Sequence, residues 1–170
     1  LGQIKRLDAG SWFGPAFKGT RVPTLEEALA AIDGRVATRI ELKDSGMEEK
    51  ISGMVNELGL VDKIQVASFE LAKLRKFRGL CPRVSAVAIS IAFSNELLQS
   101  SIESYANALA ILIKKFGEAD IFKTHVRGLT FDAWPVDDET LARDLVSLGV
   151  DSITSNRPNG LLKSIWPKAV

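Results

Sequence analysis

Within residues 37–43, charged side chains occupy every second position from residue 39 onward. As a strand, this segment places Arg39, Glu41 and Lys43 on one face and the apolar Ile40 and Leu42 on the other. If the apolar face packs under helices, the charged face points into a barrel interior, where charges are costly unless they are paired or bind a ligand. Glu41 offers a hard oxygen ligand for magnesium or calcium, and Lys43 can neutralise a phosphate oxygen. A structural ion pair or a solvent-facing edge strand would explain the pattern equally well.

A second candidate is the segment in which Trp134 ends a strand-like run and Asp137 and Asp138 precede the next helix. Barrel enzymes place their substrate loops at the carboxyl ends of the strands, which is where Trp134 would lie. The alternative is structural: the tryptophan fills the top of a barrel, and one of the aspartates caps the helix.

Other polar residues favour structural interpretations. His125, the one histidine of the chain, lies near the end of a predicted helix over 118–127, where a histidine can bond the terminal carbonyl groups. Four basic residues of a predicted helix over 69–78 are interpreted as a solvated face: Lys73, Arg75, Lys76 and Arg78.

The apolar periodicity predicts alternating strands and helices. Six strands are centred at Ile40, Val66, Val87, Leu109, Phe131 and Ile153. Capping boxes are predicted at Thr24 with Glu27 and at Ser45 with Glu48. Further helices are predicted over 94–104 and 138–148.

The near-regular spacing of the strands indicates repeated βα units with short connections, which curl toward a closed barrel. A complete (β/α)8 barrel usually needs roughly 250 residues, and this chain has 170. An open doubly wound sheet is the alternative, although no glycine-rich phosphate loop follows a strand.

Composition excludes several classes of protein. With 22 basic and 21 acidic residues the net charge is +1, so no nucleic-acid partner is expected. No apolar run approaches the roughly 20 residues of a membrane span, and the single cysteine, Cys81, rules out an intrachain disulfide. The chain opens without methionine or a visible leader, so we expect a fragment, and a cytoplasmic location is slightly favoured.

Several motifs, in order along the chain, resemble those of the glycerophosphodiester phosphodiesterase family. They are LDAGSWF at 7–13, PTLEE at 23–27, IELK at 40–43, SF at 68–69, WPVD at 134–137 and GVDSITSNRP at 149–158. Pro135 replaces the threonine usual in the fifth motif. Together the motifs cover nearly the whole chain.

The resemblance implies an α/β fold and one domain over 1–170: an incomplete (β/α)8 TIM barrel with the six C-terminal βα units present and the first two strands missing. Residues 1–23 would be an inserted loop segment, and 24–170 a helix followed by the six units. By the matching motifs, Glu41 corresponds to a metal ligand, Lys43 to the active-site lysine and Trp134 to a residue lining the substrate. The family hydrolyses glycerophosphodiesters to glycerol 3-phosphate and an alcohol, with a divalent metal, Mg or Ca, and two acid/base histidines.

The family's histidine motifs and its Glu-x-Asp metal pair have no counterpart in this chain, so we expect the 170 residues to be inactive alone. Two alternatives remain: a noncatalytic barrel that binds phosphodiesters or a partner, and a lipid phosphodiesterase related to phospholipase D toxins. The alcohol moiety of the substrate, the choice of metal and the oligomeric state are not predicted.

Overall fold

The computed structural model describes residues 1–165, so the last five residues of the predicted 1–170 domain lie outside the described residues. The chain divides into two compact units, Leu1–Ala37 and the part that begins at Thr38. In the first unit, 3-10 turns at Ile4–Arg6 and Pro15–Phe17 precede helix α1, Leu25–Ile32. Among the described residues, every helix is too short or too polar to cross a lipid bilayer.

The predicted capping box at the start of α1 is confirmed. The Glu27 backbone N–H donates to Thr24 Oγ1 at 3.1 Å, and the Thr24 N–H donates to the Glu27 carboxylate at 2.8 Å. These bonds satisfy two donors that the first turn of a helix leaves without intrahelical partners.

We therefore expect Thr24→Ala to reduce the stability of α1 by about 1 kcal/mol, because the cap acceptor is lost. Amide hydrogen exchange within α1 measures the effect. Thr24→Ser keeps the hydroxyl and should keep most of the protection. Equal exchange in the alanine and serine variants would contradict this role for the cap.

The second unit alternates strands with helices. The elements are β1 Thr38–Glu41, α2 Glu48–Glu57, β2 Ile64–Ser68, α3 Leu71–Leu80, β3 Ser85–Ser90, α4 Asn95–Glu103, β4 Ala108–Leu112, α5 Glu118–Val126, β5 Thr130–Trp134, α6 Glu139–Ser147, β6 Ser152–Ile153 and α7 Pro158–Ile165. All six predicted strand centres fall within these strands.

The six strands are parallel and pair in sequence order from β1 to β6. This order has no reversal point, which excludes the doubly wound alternative. Arg39 on β1 nevertheless forms an ion pair with Asp132 on β5. Four steps of about 4.8 Å would hold these strands about 19 Å apart in a flat sheet. The sheet is therefore curled, as the barrel prediction requires.

The strand register assigns side chains to the two faces of the curled sheet. The concave face carries Arg39, Glu41, Gln65, Ala67, Val87, Ala108, Ala110, Asp132 and Trp134. The opposite face carries apolar residues that are buried with helix residues such as Leu74, Phe77 and Ile121, which are at most 2% exposed. The main hydrophobic core thus lies on the convex side of the sheet, and the concave face carries polar side chains together with a smaller apolar cluster.

Two local predictions are wrong. The capping box predicted at Ser45 does not form. Helix α2 begins two residues later than that box implies, after Met47, and its N-cap makes no side-chain hydrogen bond. The buried Glu48 carboxylate instead accepts from the Gly46 N–H and pairs with Lys76. Helix α3 begins at Leu71 rather than at residue 69, since the Glu70 N–H bonds to Ser68 Oγ and Phe69 packs against Trp134.

Candidate active site at the carboxyl ends of the strands

The alternation predicted for β1 is confirmed. Ile40 and Leu42 are buried on the convex side, while Arg39 and Glu41 lie on the concave face. Lys43 follows the strand, and its Nζ lies 2.8 Å from Glu41 Oε1. Glu41 is 33% exposed and Lys43 is 77% exposed, so both side chains can reach a ligand at the mouth.

For Arg39, the interpretation as part of a structural ion pair is confirmed. Its Nη1 pairs with the Asp132 carboxylate, and its Nε and Nη2 donate to Gln65 Oε1 at 3.2 and 3.1 Å. Asp132 is only 1% exposed. Burial raises the pKa of Asp132, and the adjacent Arg39 guanidinium opposes that rise.

A network of hydrogen bonds fixes the backbone beside Lys43. The Leu42 N–H donates to the Ala67 carbonyl at 2.7 Å, and Ser68 Oγ donates to the Leu42 carbonyl at 3.0 Å. Lys73 Nζ donates to the Lys43 carbonyl at 2.7 Å and to the Glu70 carboxylate at 2.6 Å.

The interpretation of the basic residues of α3 as a solvated face is therefore wrong for Lys73, which is 5% exposed. It holds only in part for Arg78, which is half-buried and donates from Nη1 to the Val84 carbonyl at 2.5 Å. The charge periodicity of α3 alone could not separate Lys73 from its exposed neighbours. The ammonium group is buried because a main-chain carbonyl and a carboxylate both accept from it.

Trp134 ends β5 at the carboxyl edge, as predicted. Its ring meets Phe69, which follows β2, edge to face at a centroid distance of 5.9 Å. It also packs against a cluster formed by Ala67, Val87, Ala108 and Ala110 on the concave face. Ala67, the register partner of Glu41, belongs to the cluster against which Trp134 packs. Trp134 therefore forms an apolar wall of the mouth that also holds Glu41.

The two aspartates after Trp134 have different partners. Asp138 caps α6 by accepting from the Leu141 N–H at 2.8 Å. Asp137 instead accepts from Ser155 Oγ at 2.8 Å and from the Asn156 side-chain and backbone N–H groups at 2.9 and 2.8 Å. These bonds, led by the Asn156 side chain, lower the pKa of Asp137 and join the loops that follow β5 and β6.

Because the folded pKa of Asp137 is depressed, its contribution to stability is present above the ordinary aspartate pKa, near 4. It is lost as the pH falls below that value and the carboxylate is protonated. We expect Asp137→Asn to flatten the decline of the free energy of unfolding in acid, as measured by denaturant titrations over a pH series. Asp144→Asn, at an exposed position of α6, is the comparison variant, and an unchanged slope in Asp137→Asn would contradict the assignment.

His125 lies at the opposite end of the sheet. Its Nε2 is 2.7 Å from Asp151 Oδ2, which also accepts from the Phe131 N–H near the start of β5. The histidine is thus bonded at the amino ends of the strands, away from Trp134. The structural role agrees with the prediction, but the partner is the Asp151 carboxylate and not the terminal carbonyl groups of the helix.

The described residues offer only part of a metal site. Over residues 1–165, no group of three or more His, Cys, Asp and Glu side chains could together hold an ion. Asp132 on the concave face forms an ion pair with Arg39. Glu41 therefore supplies one carboxylate of the kind that Mg²⁺ and Ca²⁺ prefer, and Mg²⁺ is commonly held by one or two carboxylates together with substrate phosphates and water.

Parallel βα units in sequence order, with charged and aromatic side chains at the carboxyl edge, are the arrangement found in barrel enzymes, whose active sites lie at that edge. The model of the glycerophosphoryl diester phosphodiesterase family matches residues 1–160. The chain belongs to this family, whose activity is that of a phosphoric diester hydrolase.

Individual relatives agree with this assignment. The chain is 31% identical to the Bacillus subtilis protein YhdW over 170 residues, which cover 96% of this chain and 70% of the relative. It is 28% identical to a glycerophosphodiester phosphodiesterase of Bacillus subtilis, over 94% of this chain and 62% of that protein. A phosphodiesterase of Oleispira antarctica, solved with the product sn-glycerol-3-phosphate, is 25% identical, with a TM-score of 0.85 over 96% of this chain and 69% of the other.

Proposed function

We propose that the chain provides the phosphate-binding and substrate-lining part of an enzyme that hydrolyses glycerophosphodiesters to glycerol 3-phosphate and an alcohol. The observation that carries the proposal is the placement of Glu41, Lys43 and Trp134 around one mouth at the carboxyl ends of the strands. The Oleispira antarctica relative bound to glycerol phosphate supports the same class of ligand.

Each of the three residues has a role that suits its chemistry. The Lys43 ammonium, held beside Glu41 by a fixed backbone, neutralises a nonbridging phosphate oxygen. Trp134 presents an apolar wall to the glycerol or alcohol portion. Glu41 is the residue that would hold a divalent cation, Mg or Ca, and such an ion supplies further charge neutralisation at the phosphate.

Hydrolysis also needs a base for the attacking hydroxyl and an acid for the leaving alcohol. The resemblance implies two histidines for these roles. The one histidine of this chain is bonded to Asp151 at the amino ends of the strands, and no proton transfer at the mouth can involve it in this fold. The 170 residues are therefore expected to bind product without turning over substrate.

The test combines a binding measurement with an activity measurement on this chain. We expect sn-glycerol 3-phosphate to bind in the presence of Mg²⁺ or Ca²⁺, as monitored by calorimetry. We expect no release of glycerol 3-phosphate from a series of glycerophosphodiesters that differ in the alcohol. Turnover would contradict the inactivity, while the absence of any binding would contradict the proposed site.

A further inference from the structure

The ion pair between Arg39 and Asp132 lies directly behind two of the candidate site residues. Arg39 comes two positions before Glu41 on the concave face of β1, and Asp132 comes two positions before Trp134 on the same face of β5. The pair therefore connects the strands that carry the charged and the aromatic sides of the mouth.

Both partners are held in fixed orientations. Gln65 on the neighbouring strand accepts from Arg39 Nε and Nη2, which leaves Nη1 directed at Asp132. A planar guanidinium fixed through several of its donors has little freedom to rotate. Asp132 is almost fully buried, and Thr154 Oγ1 lies 3.4 Å from each of its carboxylate oxygens.

The apolar cluster on the concave face is built mostly from small side chains, with Val87 and Ile89 as its larger aliphatic members. Three of the four buried members of the cluster under Trp134 are alanines: Ala67, Ala108 and Ala110. Alanine side chains have no rotamers and fill little volume, so they restrict the separation of opposite strands less than large interlocking side chains do.

We propose that Arg39 and Asp132 are positioning residues, and that their ion pair sets the distance between Lys43 with Glu41 on one side of the mouth and Trp134 on the other. A ligand that contacts both sides requires that distance to be constant. The identity of this ligand as a glycerol phosphate rests on the proposed function, whereas the distance is a property of the protein without ligand.

The distance can be measured directly in this chain. A nitroxide attached through Lys43→Cys lies at the exposed edge of the mouth, whereas the natural Cys81 is buried and resists labelling under native conditions. Incorporated 5-fluorotryptophan reports on Trp134 by fluorine NMR, and the Trp134→Phe spectrum identifies its resonance. We expect the nitroxide to broaden this resonance and its chemical reduction to remove the broadening.

Arg39→Met and Asp132→Asn should each at least halve the broadening of the Trp134 resonance, because the two sides of the mouth are no longer tied together. Arg39→Lys keeps the charge but loses the planar group that Gln65 holds, so it should recover only part of the broadening. The matched control is Arg83→Met, which breaks an equivalent but exposed ion pair with Asp62 and should leave the broadening unchanged. The double variant Arg39→Met/Asp132→Leu removes both charges, so that no charge stays buried without its partner. It should still show reduced broadening.

Unchanged broadening in folded Arg39→Met or in the double variant would overturn the positioning role. The measurement contains no substrate and no metal, so its result is independent of the proposed function. Titration of sn-glycerol 3-phosphate with Mg²⁺ into the unsubstituted chain tests that function separately. If the ligand does not bind but the broadening behaves as described, the ion pair still sets the distance, and only the identity of the ligand is wrong.

Discussion

Lys43→Met is expected to weaken the binding of sn-glycerol 3-phosphate by about 10- to 100-fold, since a hydrogen bond to a charged group is worth about 1.5–3 kcal/mol. The Lys43 side chain is mostly exposed and its partner Glu41 lies at the same open mouth, so the substitution leaves the core intact. Surface pairs of this kind contribute little to stability. The loss should therefore appear in affinity and not in the unfolding transition.

Calorimetric titration of both proteins in the presence of Mg²⁺ measures this effect. Lys63→Met provides the matched control, because Lys63 is an exposed lysine immediately before β2, at the opposite edge of the sheet. It should bind like the unsubstituted chain. If the two variants lose affinity equally, the phosphate does not contact Lys43.

The largest effect on stability is expected for Phe131→Ala. Phe131 is fully buried on the convex face of β5, and its ring packs against the tilted ring of Phe116 at a centroid distance of 4.7 Å. Truncation removes the transfer free energy of the ring and leaves a cavity, which together cost about 3–5 kcal/mol. Chemical denaturation should show this loss as a lower midpoint with little change in slope.

Phe122→Ala is the comparison for that experiment. Phe122 lies on α5 and is 68% exposed, so its removal should change the free energy of unfolding by no more than about 0.5 kcal/mol. Similar losses in the two variants would mean that the convex face of β5 does not form the packed core described above.

The order of the elements could be predicted from the sequence because strands and helices have different apolar periods. Ile40 and Leu42 alternate with charged residues, and this alternation correctly separated the two faces of β1. The roles of Glu41, Lys43 and Trp134 came from the family resemblance, and their functional roles stay predictions. The fold supports them by placing the three residues at one mouth.

Contacts between distant positions could not be predicted in the same way. Arg39 and Asp132 are separated by 93 residues, and no local pattern indicates that they meet. Lys73 was assigned to solvent because helix periodicity reports which residues share a face, but not which neighbouring carbonyl group accepts from a lysine. The curl of the sheet brings Arg39 and Asp132 together, and the loop after β1 brings the Lys43 carbonyl group to Lys73.

The strand order has a consequence for how the chain folds. Each strand pairs with the next one along the sequence, so every ladder closes a loop of only one βα unit, and such short loops carry a small entropic cost. The chain can then assemble by adding one unit at a time to a growing edge. The contact between Arg39 and Asp132 spans four of these steps, and we expect it to form late, after the intervening strands are in register.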